Sequence, residues 1–175
     1  MTSRTVFFNI IRFFFLIFFQ VLILNHINLS INLSGYINPY FYIYFILLLP
    51  FDTPKWMLLI AAFVLGWSVD IFTNTIGLNA AACVMMAFAR PFLISAISSG
   101  PESLLGDTPS LRHQGLKWFL YYSITLIFIH HFTFFYLEIF RFSEFMETFV
   151  RVILSSVFTL LLVLISEYLL YPRGK

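Results

Sequence analysis

Charge is scarce in this sequence. Only 10% of its 175 residues are Asp, Glu, Lys or Arg, whereas 61% are hydrophobic. A soluble domain needs roughly 25% charged residues to cover its water-facing surface. The shortage excludes a soluble enzyme domain, a disordered chain and a nucleic-acid module. The net charge of +2 is too small to attract polyanions. Cysteine is equally scarce: Cys83 alone allows neither an internal disulfide nor a cysteine-based zinc site. It stands in the apolar run Ala80–Met85 and is read as a packing residue. No hydrolase elbow, P-loop, HExxH or clustered catalytic constellation occurs. The chain is therefore read as a non-enzyme, without cofactor or metal.

What remains abundant is apolar bulk. Aromatic residues reach 21% and the mean hydropathy is +0.93. The expectation is an all-α, polytopic transmembrane bundle forming one domain over residues 1–175. Spans need about 20 apolar residues each. Helix is expected throughout, because the runs do not alternate and lipid offers an unpaired backbone no partner.

Six apolar segments can be drawn: Val6 to Leu24, Tyr36 to Leu49, Trp56 to Phe72, Leu78 to Ile97, Lys117 to Leu137 and Phe149 to Tyr171. The first lacks a following small-x-small cleavage site, so it reads as an uncleaved helix rather than a signal peptide. The second is short, because Pro39 and Pro50 bracket it. It spans only if Pro39 lies in the first turn, where proline is tolerated; otherwise it is re-entrant or interfacial, leaving five spans. Charge placement favours six. Arg4, Arg12, Lys55, Arg90, Arg112, Lys117, Arg173 and Lys175 then fall on one side, and Arg141 and Arg151 on the other. That asymmetry marks a cytoplasmic face, so both termini are expected in the cytoplasm. The segment after the first helix is rich in asparagine and includes two Asn-Leu-Ser tripeptides, at 28–30 and 32–34.

Ionisable groups inside membrane helices are costly and point to function. At 1.5 Å per residue, Asp70, His130, His131 and Arg151 fall in one outer layer, so Asp70 is expected to pair with Arg151 or to hydrogen-bond a histidine. Arg12, Arg90 and Glu167 fall in a second, cytoplasmic layer. Glu167 with Arg90 or Arg12 is the expected ion pair, while Arg12 and Arg90 can instead snorkel to headgroups. Asp70 also reads as a helix-end cap with water access. Adjacent His130 and His131 point about 100° apart, which argues against a metal site. Tyr and Phe read mostly as lipid-facing bulk.

Small residues form a second pattern. Ala61, Ala62 and Gly66, then Gly77 and Ala80–Ala82, allow helix backbones to approach closely. They serve either packing between the third and fourth helices or docking of another protein's membrane helix. The candidate contact residues are Ala62, Gly66, Asp70, Gly77, Asn79 and Arg90.

Residues 38–91 carry a more specific pattern. Asn38-Pro39 is followed by Leu47-Leu48-Leu49-Pro50-Phe51, Trp56, Phe63-Val64-Leu65-Gly66-Trp67-Ser68-Val69-Asp70, Gly77-Leu78-Asn79-Ala80-Ala81-Ala82 and Arg90-Pro91. This resembles the bacterial rod shape-determining membrane protein MreD family, in its Bacteroidetes-like form. A proline opens helix two, F-x-x-G-x-x-x-D lies on helix three, and G-x-x-A opens helix four. Where many relatives have an acidic residue after that proline, this chain has Tyr40. The resemblance implies a non-enzymatic inner-membrane subunit of the cell-elongation machinery supporting peptidoglycan synthesis. Its implied direct partner is an MreC-like bitopic protein, within a complex holding the MreB filament, RodA and its transpeptidase. It also implies a six-helix architecture similar to the substrate-binding subunits of energy-coupling-factor transporters.

Two other classes stay open. A small-molecule-binding transporter subunit needs an outward cavity lined by Asp70, Asn74, Asn79 and His130. A membrane enzyme needs Asp70 and His130 or His131 on a common substrate atom.

Overall fold

The computed structural model describes residues 3–26, 37–98, 100, 104, 108–139 and 145–170, with side chains from residue 7 to residue 169. The side chain of Arg4, together with Arg141, Arg173, Lys175 and both Asn-Leu-Ser tripeptides, lies outside the described residues.

All regular structure among the described residues is helical. In chain order it comprises α1 (Ser3–Leu22), a 3-10 turn (Leu24–His26), a 3-10 turn (Phe41–Ile43) continuing into α2 (Tyr44–Leu47), α3 (Lys55–Thr73), α4 (Leu78–Ile97), α5 (Leu111–Gln114), α6 (Leu116–Ile139) and α7 (Phe145–Leu170). Five segments are long and apolar enough to cross a membrane: Phe7–His26, Lys55–Thr73, Leu78–Ile97, Leu116–Ile139 and Phe145–Leu169. They mark the chain as a multi-pass membrane protein. Their outward faces carry bulky apolar side chains such as Phe18, Trp67, Phe88 and Val157, each about half exposed.

The second apolar segment departs from expectation, since it is no helix of spanning length. Pro39 does not sit in a first turn. Tyr40 is the N-cap, with φ −104° and ψ 77°, and only one 3-10 turn and one α-turn follow before Pro50. Residues 41–50 are nevertheless all buried. This short rod threads the middle of the bundle, flanked by α1, α4, α6 and α7. Contacts along it run in register with α7: the Asn38 amide meets Ser155, the Tyr40 amide meets Thr159, and the Tyr44 hydroxyl meets Glu167. Ser155 to Glu167 is twelve residues of helix, or about 18 Å. The chain thus passes through the bundle interior between α1 and α3 without building a full helix.

This passage puts the starts of α3 and α6 and the ends of α4 and α7 at one end of the bundle. Phe51 packs on Trp118, Trp118 bonds Ser98, and the Leu111 amide bonds Glu167. Lys55, Arg90, Arg112 and Lys117 gather toward this basic end. The α3–α4 turn and Arg151 lie at the far end.

Candidate functional site

The far end is organised by a clasp between α3 and α4. Their connection is Asn74–Gly77, and its left-handed positions fall on Asn74 (φ 55°) and Gly77 (φ 74°), residue types that tolerate that conformation. Gly77 is the N-cap of α4 and offers no side chain to the first amides of that helix. Asp70 supplies what is missing, from the last turn of α3. Its Oδ1 accepts from the Asn79 amide at 3.1 Å and its Oδ2 from the Ala80 amide at 2.9 Å. These are the N2 and N3 amides that a capping side chain normally satisfies, next to the positive end of the helix dipole. Oδ1 also accepts from the Thr75 hydroxyl at 2.5 Å and from Asn79 Nδ2 at 3.0 Å.

One turn before Asp70, Gly66 completes the clasp. A Cβ there would lie 2.5 Å from Ala80 Cα and 2.5 Å from the Asn79 carbonyl oxygen. Gly66 is present for space, Gly77 for its backbone angle; a Cβ at Gly77 meets nothing within 4 Å.

A hydrogen-bonded chain runs inward from the clasp. Asn79 donates through Nδ2 to Asp70, so its Oδ1 must accept, and the Tyr42 hydroxyl donates to it at 2.8 Å. That hydroxyl has spent its proton, so His130 Nε2–H donates to Tyr42 at 3.0 Å. His130 Nδ1 is then a bare acceptor, buried without a partner among the described residues. His131 has the other tautomer. Its Nδ1–H donates to the Ile127 carbonyl at 2.9 Å, and the Thr159 hydroxyl donates to its Nε2 at 3.1 Å. Thr159 in turn accepts from the Tyr40 amide.

The central rod is held by side chains at both ends, as broken backbone at membrane depth requires. At its start, Gln20 of α1 accepts from the Phe41 amide at 2.8 Å and donates to the Pro39 carbonyl at 3.1 Å. At its end, Tyr122 donates to the Leu47 carbonyl at 2.9 Å and accepts from Arg90 Nε at 2.7 Å. Arg90 Nη2 donates to the Leu49 carbonyl, and Arg12 Nη1 reaches the Leu48 carbonyl at 3.5 Å.

Several expected pairings are corrected by this geometry. Asp70 bonds neither Arg151 nor a histidine, because both its oxygens turn to the α3–α4 connection and the start of α4; His130 is reached through Asn79 and Tyr42. Asp70 does act as a helix cap, but with 4% exposure and not with water access. Arg151 instead bonds Glu138 at 3.3 Å and covers the Phe135 ring at 4.7 Å. Glu167 hydrogen-bonds neither Arg90 nor Arg12, although the Arg12 charge acts on it from nearby. Its two oxygens accept from the Tyr44 hydroxyl at 2.6 Å and the Leu111 amide at 2.8 Å. Arg90 does not snorkel; it is 2% exposed because the rod's carbonyls need its donors. Ala62 and Gly66 are buried in the α3–α4 contact, so the docking face expected around Gly66 is occupied by the chain's own α4. Cys83 is buried as expected, 3.8 Å from the Tyr42 hydroxyl.

Sequence reading missed Gln20, Tyr42, Tyr44, Tyr122, Ser155 and Thr159. Tyr42, Tyr44 and Tyr122 are buried rather than lipid-facing. Gln20 had a legible signal, a lone amide in an apolar helix. The tyrosines had none, since buried and lipid-facing tyrosines look alike in a run of this composition.

The transporter reading needs an open cavity around Asp70, Asn74, Asn79 and His130. Asn74 is exposed on the α3–α4 turn, unlike Asp70, Asn79 and His130. These three are 4%, 1% and 0% exposed and bonded into one chain. No family model, curated protein or solved structure matches this chain.

Proposed function

We propose that the chain is a non-enzymatic, MreD-like membrane subunit of the cell-elongation complex, supporting peptidoglycan synthesis by docking an MreC-like bitopic partner. One observation carries the reading. The motif positions behind the resemblance, Gly66, Asp70, Gly77 and Ala80, form a single mechanical unit: Asp70 bonds the amides that Gly77 cannot cap, and Gly66 makes room for Ala80. Their chemistry is helix clasping. A membrane enzyme would instead have to present Asp70 and His130 or His131 to substrate, and in this chain all three are buried, Asp70 being engaged by the α3–α4 turn and His131 by Ile127 and Thr159. A bundle whose Asp70, Asn79 and Tyr42 are spent on one another and on its own backbone suits a docking platform.

In this reading the basic end, with Lys55, Arg112 and Lys117, faces the cytoplasm of a bacterial inner membrane by the positive-inside rule, and both termini lie there. MreB, RodA and its transpeptidase complete the assembly. The partner helix meets an outward face, since the inner faces of α3 and α4 are filled.

The test is affinity purification of the full chain from its native membrane in mild detergent. The expected result is recovery of a single-pass protein with a periplasmic coiled coil. A photo-crosslinking residue placed in turn at Phe18, Trp67, Phe88 or Val157, each outward on a different helix, identifies the docking face. Recovery of an ATPase pair, or of the chain alone with a tightly held small molecule, would sink the proposal in favour of a transporter subunit.

A further inference from the structure

A cavity of about 300 Å³ opens at the basic end, away from the clasp. It lies between the Pro50–Lys55 turn, the start of α3 and the end of α4, and its walls include Lys55, Arg90, Ser95 and Ser98 beside apolar Phe51 and Ile94. Its size is at the lower limit of small-molecule sites, about 300–1,000 Å³. Among the described residues, no carboxylate lines it. Asp52 lies on the adjoining turn but is exposed and outside the lining, and Glu167 is engaged by Tyr44 and Leu111.

Three sources of positive potential converge there. Arg90 is 2% exposed, with Nε spent on Tyr122 and Nη2 on the Leu49 carbonyl. Nothing among the described residues accepts from its Nη1. Among the described residues this guanidinium is bonded to neutral acceptors and meets no carboxylate, a costly arrangement that a bound anion relieves. Lys55 adds a second cation from the rim. The 19-residue α3 begins here behind Pro54, which has no side-chain acceptor and leaves the positive end of the helix dipole uncapped.

We propose that this cavity binds the phosphate group of an anionic amphiphile or of a small soluble phosphate ester. Arg90 and the start of α3 would hold the phosphate, Lys55 would close over it, and Phe51 and Ile94 would take the adjoining apolar portion. Guanidinium and ammonium groups around one site, with nearby hydroxyls, match phosphate oxygens. The cavity lies at the ends of the spanning helices, the level of lipid headgroups.

The experiment uses the purified full chain in detergent. One arm measures retention of phosphatidylglycerol against phosphatidylcholine by native mass spectrometry. The other measures binding of inorganic phosphate by calorimetry. Arg90 also holds the central rod, so the variants are Lys55→Gln, at an exposed position, and Ile94→Trp, which fills the cavity. Phosphatidylglycerol is expected to be retained over phosphatidylcholine, and Lys55→Gln to weaken binding about tenfold, the value of one charge-assisted contact. Ile94→Trp should abolish it. Binding of phosphatidylglycerol without inorganic phosphate assigns a lipid headgroup, and the converse assigns a soluble ester. If neither ligand binds, or both variants bind like the parent, the proposal is overturned.

Discussion

Asp70→Asn changes one atom and puts the clasp under a defined load. The carboxylate accepts four hydrogen bonds and donates none: three reach Oδ1, from Thr75, the Asn79 amide and Asn79 Nδ2, and one reaches Oδ2, from Ala80. An asparagine oxygen can keep the first three. Its NH2 then faces the Ala80 amide, donor against donor. A buried amide left unsatisfied costs about 1–3 kcal/mol, and the three remaining bonds lose the charge assistance that roughly doubles their strength. The sum is about 2–4 kcal/mol. For a chain of this size each kcal/mol lowers Tm by about 2–4 °C, so a fall of about 4–16 °C is expected by thermal unfolding in detergent micelles. Asp70→Ala should fall further. A double-mutant cycle with Asn79→Ala should be strongly non-additive, since the two side chains share one network. If Asp70→Asn unfolds within about 1 °C of the parent yet loses its partner, the carboxylate acts on that partner, and the clasp reasoning is wrong.

The two glycines of the motif should separate by mechanism. Gly66→Ala drives a methyl into the Ala80 backbone and should cost about 1–3 kcal/mol, with Gly66→Leu failing to fold. Gly77→Ala meets no atom and should cost only the left-handed penalty of about 1–2 kcal/mol; that penalty does not grow with side-chain size, so Gly77→Leu should still fold, and a Gly77→Leu as damaging as Gly66→Leu would contradict this split. Gln20→Leu strips the rod's start of an acceptor for Phe41 and a donor for Pro39, a loss of about 2–4 kcal/mol, which hydrogen exchange should register first at the amides of Phe41 and Tyr42. Tyr42→Phe removes the donor to Asn79 and the acceptor for His130. The His130 ring should then change its NMR tautomer signature while that of His131 holds; unchanged His130 signals would refute the assigned chain.

The sequence by itself determined the solvent and the secondary structure. With so few charges and such long apolar runs, burial in lipid and backbone pairing within each helix are the only economical solution. Three of the spanning helices were therefore legible to within two residues, with α4 at Leu78–Ile97, while α1 and α7 begin a few residues before their apolar runs. The layer holding Asp70 and His130 was legible too, because depth along a helix is a matter of counting.

What counting cannot give is rotation about the helix axis, nor which acceptors lie across the gap. Those decided that Asp70 turns to the amides of α4 rather than to Arg151, and that Arg90 turns to the carbonyls of the rod rather than to Glu167. They also decided that residues 41–47, too short to span as a helix, are tolerated at depth. Their broken backbone is satisfied by Gln20, Tyr122 and Arg90, drawn from three different helices. Such partners are distant in sequence and meet only when the bundle closes. The tertiary structure therefore fixed the polar interior, since an unpaired polar group there costs more than any local preference can offset.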